Sequence, residues 1–215
     1  MESPLRAPTE PDFRLIETFA FRPRQGVIRG NMHLARMART AKVLSLTFDL
    51  DAAQAMLDRI AGEAPLRCRL TMDVSGHFEL TTAALADTAS IWRLALAQTR
   101  LQSEDPWLRH KTTRRSLYDK VRATLPKGID EVLFLNERGE LCEGTITNLF
   151  LEMPNGTRLT PSLSSGVLPG ILREELLEND EWAEAVLTLT DLKQARAVFM
   201  GNALRGLIPV EMVNL

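Results

Sequence analysis

The sequence contains two cysteines, three histidines, one tyrosine and only five lysines against 21 arginines, and it has no long apolar run. Cys68 and Cys142 form neither a metal-type spacing nor a disulfide framework, so both read as reduced, buried thiols. No stretch approaches the roughly 18 apolar residues of a membrane-spanning helix. The opening "MESPLRAPTEPDFRL" has no apolar core for a signal peptide. The expectation is therefore a soluble, cytoplasmic protein with no membrane partner. A net charge of -2 argues against nucleic acid as a partner. P-loop, G-x-S-x-G and metal-cluster patterns are absent, and neither His33 nor His110 has a serine or cysteine partner nearby in sequence, which leaves both as supporting or surface residues.

What is present suits one large or two small domains: 215 residues, 45% of them hydrophobic and 25% charged. "FRLIETFA" (13–20) alternates as a strand, and a short second strand follows the turn "RPRQG". Residues 31–45 and 49–65 have helical spacing, the second capped by Asp49 or Asp51 and ended by Gly62 and Pro65. Residues 66–85 read as a hairpin turning at Ser75–Gly76, and 90–103 as a strand completing a small sheet. After the connection "SEDPWLRH", residues 111–125 read as a helix and 130–144 and 148–161 as hairpins, the latter around Asn155–Gly156. Residues 170–180 are helical, and 186–210 give strand, short helix, strand and turn. The fold class is α+β in two subdomains, 1–103 and 104–215.

The segment "ELCEGTITNLFLEMPNGTRLTPSLSSGVLPGILREELL" (140–177) concentrates the chemistry. Glu143 ends an apolar strand, where a carboxylate can hold a protonated ring nitrogen through a charge-assisted hydrogen bond. "GTITN" supplies turn amides and hydroxyls of the kind that form an anion nest. Gly170, Ile171 and Leu172 open a helix whose unpaired amides and dipole suit a phosphate. Together they point to a phosphorylated, ring-shaped ligand.

A ligand of that kind with an aldehyde needs an amine. Lys42, Lys120, Lys127 and Lys193 fall on solvated faces or turns. Lys111 is read at the start of a helix, where the positive backbone end and Arg109, Arg114 and Arg115 disfavour its charged form. A neutral amine is the form that attacks a carbonyl carbon.

The segments "CEGTITNLF…LTPSLSSGVLPGILREELL", "HLARMARTAK" (33–42), "HKTTRR" (110–115) and "FMGNALRGLIPV" (199–210) resemble, in this order, class IV pyridoxal-phosphate enzymes. That family includes branched-chain and D-amino-acid aminotransferases and 4-amino-4-deoxychorismate lyases. The resemblance covers roughly positions 14–210 and implies fold type IV, here shortened at the N-terminus, with pyridoxal 5'-phosphate as cofactor, a small amino substrate and a homodimer. It makes Lys111 the catalytic lysine that takes the cofactor aldehyde and carries the substrate proton. It places Glu143 on the pyridine nitrogen and Leu168 on the ring face. Arg36, the Ile146–Thr147 backbone and the Ile171–Leu172 amides would then hold the phosphate, with Ala203 completing the cofactor set from the last turn.

Aminotransferases of the family commonly carry threonine where this chain has Leu172 and Ala203, and "NAL" (202–204) is similar to the lyase branch. The expected reaction is conversion of 4-amino-4-deoxychorismate to 4-aminobenzoate and pyruvate. A class IV aminotransferase and a non-catalytic homologue are the alternatives. The "D-R-G…G-D" loop usual before the segment matching "LIETF" is missing.

Overall fold

The structure, a computed structural model, describes residues 12–87 and 90–213 together with positions 5, 8 and 10. The chain forms two compact units, Met1–Asp87 with His110–Arg114, and Thr88–Arg109 with Arg115–Leu215. The small unit therefore ends earlier than residue 103 and takes back a five-residue piece further along.

In the small unit, the apolar run "LIETFAFR" forms β1 (Leu15–Arg22), almost wholly buried. β2 (Gly26–Val27) follows a tight turn, then α1 (Gly30–Val43), α2 (Leu50–Asp58), β3 (Leu66–Met72) and β4 (Phe78–Ala84). The sheet order is β2-β1-β3-β4. α1 buries His33, Leu34, Met37 and Ala41 along one stripe, at the three- and four-residue spacing of an amphipathic helix. Asp49 caps α2 by accepting the Ala52 amide at 2.9 Å. The helix stops at Asp58, ahead of the expected Gly62 and Pro65. The β3–β4 hairpin turns through Gly76 at φ 85°, and the Asp73 carboxylate ties the turn by accepting the Ser75 and His77 amides.

Segment 111–113 departs from its reading as the first turn of a helix. It runs extended against β1: the Ile16 amide donates to the Lys111 carbonyl and the Thr113 amide to Arg14, around a Leu15–Thr112 bridge. Two consecutive threonines favour that extended course. The helix, α3 (Ser116–Ala123), begins five residues after Lys111, so the helix-dipole argument for that lysine falls away.

The larger unit continues with β5 (Trp92–Leu101), α3, β6 (Glu131–Asn136), β7 (Asn148–Glu152) and β8 (Arg158–Pro161). It ends with α4 (Ile171–Glu178), β9 (Ala183–Ala185), α5 (Leu189–Gln194), β10 (Ala197–Asn202) and β11 (Gly206–Met212). The seven-stranded sheet runs β6-β5-β11-β10-β7-β8-β9. β5 belongs here and not to the small sheet, lying parallel to both β6 and β11. β6 is buried on both faces, which is why its sequence is a continuous apolar run and not an alternation. Leu133 and Leu135 join Leu149, Leu151 and Met200 in one core cluster. Val132 and Phe134 join Leu101, Leu108 and Cys142 in another.

The remaining single-residue readings find simple places. Cys68 and Cys142 are buried free thiols. Burial, followed by the charge of Glu143, pushes the Cys142 thiol up to about 12. Trp182 packs edge-on against Phe150 at 5.0 Å, with Arg158 over its ring. Among the described residues no helix is long and apolar enough to cross a membrane.

Candidate active site

Glu143 lies on the return segment after β6, 5% exposed. The Tyr118 hydroxyl donates to Oε1 at 2.7 Å, and the Leu168 amide and Asn148 Nδ2 donate to Oε2 at 2.9 and 3.2 Å. Asn148 also donates to the Leu168 carbonyl at 3.0 Å, which ties the 168–170 loop to the start of β7. Pro169 and Gly170 then lead into α4. Its first-turn amides, Ile171 and Leu172, have no acceptor among the described residues, as expected at a helix start. Carboxylate, loop and helix N-terminus are thus one hydrogen-bonded assembly.

The Leu172 side chain has a separate role. It is 4% exposed and packs in a core cluster with Phe150, Leu176 and Trp182. One of its methyl carbons lies 3.0 Å from where a Cβ would stand on Gly201, so Gly201 is the gap that receives it. Leucine at this position serves packing. Ala203 lies in the turn joining β10 and β11, where the Leu204 and Arg205 amides donate to Asn202 Oδ1 and Asn202 donates to the Ile146 carbonyl.

The "GTITN" turn differs from its reading as an open anion nest, because a carboxylate of the chain occupies it. Glu131, wholly buried, accepts the Thr145 amide at 3.0 Å and the Ile146 amide at 3.2 Å. It also accepts the Thr145 and Thr147 hydroxyls at 2.6 and 3.1 Å. Arg122 stands 3.7 Å from it and donates to the Thr145 hydroxyl. The Ile146 amide is consequently spent inside the protein. The only signal of this in the sequence is the charge heading the apolar run "EVLFLN".

In the small unit, Glu17 and Arg36 are both buried, and Arg36 donates to the two oxygens of Glu17 through Nε at 2.9 Å and Nη2 at 2.6 Å. His33 meets the same carboxylate through Nδ1 at 2.6 Å. Burial by itself would push Glu17 up. The charge of Arg36, then the hydrogen bond and charge of His33, outweigh it and bring the carboxyl down to about 2. Burial holds His33 below its usual range, opposed by Glu17 and reinforced by Arg36 and Lys111. An anionic Glu17 requires the proton on Nδ1, and His33 Nε2 has no hydrogen-bond partner among the described residues. Lys111 therefore lies within electrostatic reach of the cluster built on α1. Glu17, absent from the sequence reading, had the same signal as Glu131: an acid within the apolar run "LIETFAF".

The description "Amino-transferase class IV" matches residues 14–213 of the chain. The chain belongs to the class IV aminotransferase family. Members of this family are pyridoxal-phosphate-dependent enzymes, and the mixed α+β fold with two sheets is that of fold type IV. A Mesorhizobium loti structure, a candidate amino-acid aminotransferase, is 42% identical with a TM-score of 0.88, covering 94% of this chain and 100% of that one. A candidate branched-chain-amino-acid aminotransferase of Thermotoga maritima is 34% identical over 89 residues, 39% of this class IV chain and 32% of the relative. The aminodeoxychorismate lyase of Saccharomyces cerevisiae is 29% identical over 163 residues, 65% of this chain and 43% of the relative. The chain thus spans about a third of the length of the first curated relatives it matches, 32% and 34%.

Proposed function

We propose that this chain binds pyridoxal 5'-phosphate and acts as a lyase on 4-amino-4-deoxychorismate, releasing pyruvate and leaving 4-aminobenzoate. The observation that carries the cofactor reading is Glu143, a buried carboxylate that accepts from Asn148 and the Leu168 amide and is linked through them to a helix start with two unaccepted amides. This donor set fits a phosphorylated pyridine: an anion for the ring nitrogen, and amides with a helix dipole for the phosphate. Bound cofactor supplies an electron sink for the electron pair left at the substrate carbon.

The chain's own residues then divide the work. Glu143 holds the proton at the ring nitrogen. The Ile171 and Leu172 amides, helped by the Thr147 amide and the backbone of the Ala203 turn, bind phosphate. Ile146 serves through its turn and not through its amide, which Glu131 has taken. Arg36 is the proposed phosphate-binding arginine, its guanidinium plane fixed by Glu17. The half-exposed side chain of Leu168 covers the ring face. Lys111 would hold the cofactor through Nζ and would move the substrate proton. The reading includes a cytoplasmic homodimer.

The extent of the lyase alignments supports the lyase reading: 163 residues for the yeast relative, against 89 for the Thermotoga aminotransferase. Aminotransfer is the second reading, favoured by the full-length similarity to the Mesorhizobium loti protein. The test reconstitutes the chain with pyridoxal phosphate and assays pyruvate release from aminodeoxychorismate. In parallel, transamination is measured with a panel of amino donors and keto acids. Pyruvate with 4-aminobenzoate is the expected outcome, abolished in Lys111→Ala together with the absorption band of the lysine-linked cofactor. Transamination without 4-aminobenzoate establishes the second reading, and no cofactor absorption in the wild type overturns both.

A further inference from the structure

The hydroxyl of Tyr118 belongs to no role assigned above, yet it lies 2.7 Å from Glu143 Oε1. Its ring is fixed edge-on to Phe134 at 5.3 Å, with Arg115 over it at 5.8 Å. The other carboxylate oxygen is held by Asn148 and the Leu168 amide. We propose that Tyr118 is a positioning residue that keeps the shared proton on the ring nitrogen of bound pyridoxal phosphate by donating its own hydroxyl hydrogen to Glu143. The proposal rests on the functional reading above.

The physics concerns one proton between two bases. Each hydrogen bond donated to a carboxylate stabilises the anion and makes it a weaker base. With Tyr118 donating, the proton between Glu143 and a pyridine nitrogen stays on nitrogen, and the ring stays electron-poor. Without that donor the same proton moves from nitrogen to the Glu143 oxygen, and no electrons are exchanged. Burial, then the charge of Glu143, pushes the Tyr118 phenol up, so it acts only as a donor. Arg115 lies over the phenol ring, the Cys142 thiol is neutral, and Glu131 is paired with Arg122 behind the turn.

Tyr118 is the chain's single tyrosine, so feeding a fluorinated tyrosine during expression changes this position alone. The experiment loads the protein with nitrogen-15-labelled pyridoxal phosphate and reads the ring-nitrogen resonance in three forms: wild type, Tyr118→Phe and fluorotyrosine-substituted. Tyr118→Phe is expected to lower the ratio of ring-protonated to Glu143-protonated pair about tenfold, the scale of one hydrogen bond to a charged group. The more acidic fluorophenol, a stronger donor, is expected to move the resonance the opposite way. A merely structural tyrosine would not give opposite signs. An unmoved resonance, or movement in one direction in both, overturns the role of Tyr118 and leaves the cofactor reading standing. Absence of any bound-cofactor resonance in the wild type overturns both.

Discussion

Asn148 Oδ1 lies 1.9 Å from the point that a Cβ would occupy on Gly170. The glycine is there because the asparagine fills its side-chain space, and the asparagine is what joins Glu143 to the 168–170 loop. Gly170→Ala must push Asn148 aside and break both of its bonds. It is expected to destabilise the fold by about 2–3 kcal/mol and to weaken pyridoxal phosphate binding. In urea melts, Asn148→Ala added to Gly170→Ala should cost less than the sum of the two single changes. Additivity would show that the two positions do not compete for the same space.

Glu131 satisfies two amides and two hydroxyls of the turn that follows Glu143. Glu131→Ala leaves all four without their acceptor and Arg122 without its anion, a loss on the order of 3 kcal/mol. Thr147→Val removes one hydroxyl only and should cost about 1 kcal/mol. Denaturant midpoints check the ranking; equal effects would mean that the turn is held by something other than this carboxylate.

Acid should loosen the small unit in two steps. The Glu17 carboxyl moves from its ordinary 4.5 down to about 2 on folding. Its contribution, on the order of 3 kcal/mol, is complete above 4.5 and is lost as pH falls from there toward about 2. His33 is held below its ordinary 6.5. The unfolded chain therefore binds that proton first, and stability begins to fall as pH drops below 6.5. Urea midpoints measured between about pH 3 and 8 should show both steps. Glu17→Gln should remove the lower step and His33→Gln the upper one. A midpoint independent of pH in the wild type would contradict the assignment.

Leu172→Thr restores the residue that aminotransferases of this family commonly carry at the helix start. Here the side chain packs with Phe150, Leu176 and Trp182, so the change buries a hydroxyl and opens a gap beside Gly201. A loss of about 2 kcal/mol is expected, with no gain in cofactor affinity. Tighter pyridoxal phosphate binding by Leu172→Thr would show that the side chain at this position faces the phosphate.

Much of the fold was legible in the chain because its signals are local. Residues 13–20, 66–85 and 148–161 carry strand patterns and turn residues that need no distant partner to be read. The order of the Glu143, Asn148 and Gly170 segments, together with those around Arg36 and Lys111, was enough to indicate the family. Three features were decided only in three dimensions. β5 has a composition suited to either sheet, and its pairing with β6 and β11 follows from which apolar faces are left to cover. Lys111 precedes a good helix sequence, yet its backbone groups are claimed by β1, and a hydrogen bond to a distant strand outweighs a weak local propensity. Glu17, Glu131 and Tyr118 look like ordinary residues in apolar or helical runs. The two acids matter because burial strips them of water, and Tyr118 because its hydroxyl meets Glu143, so that each finds its hydrogen-bond partners in segments far away along the chain.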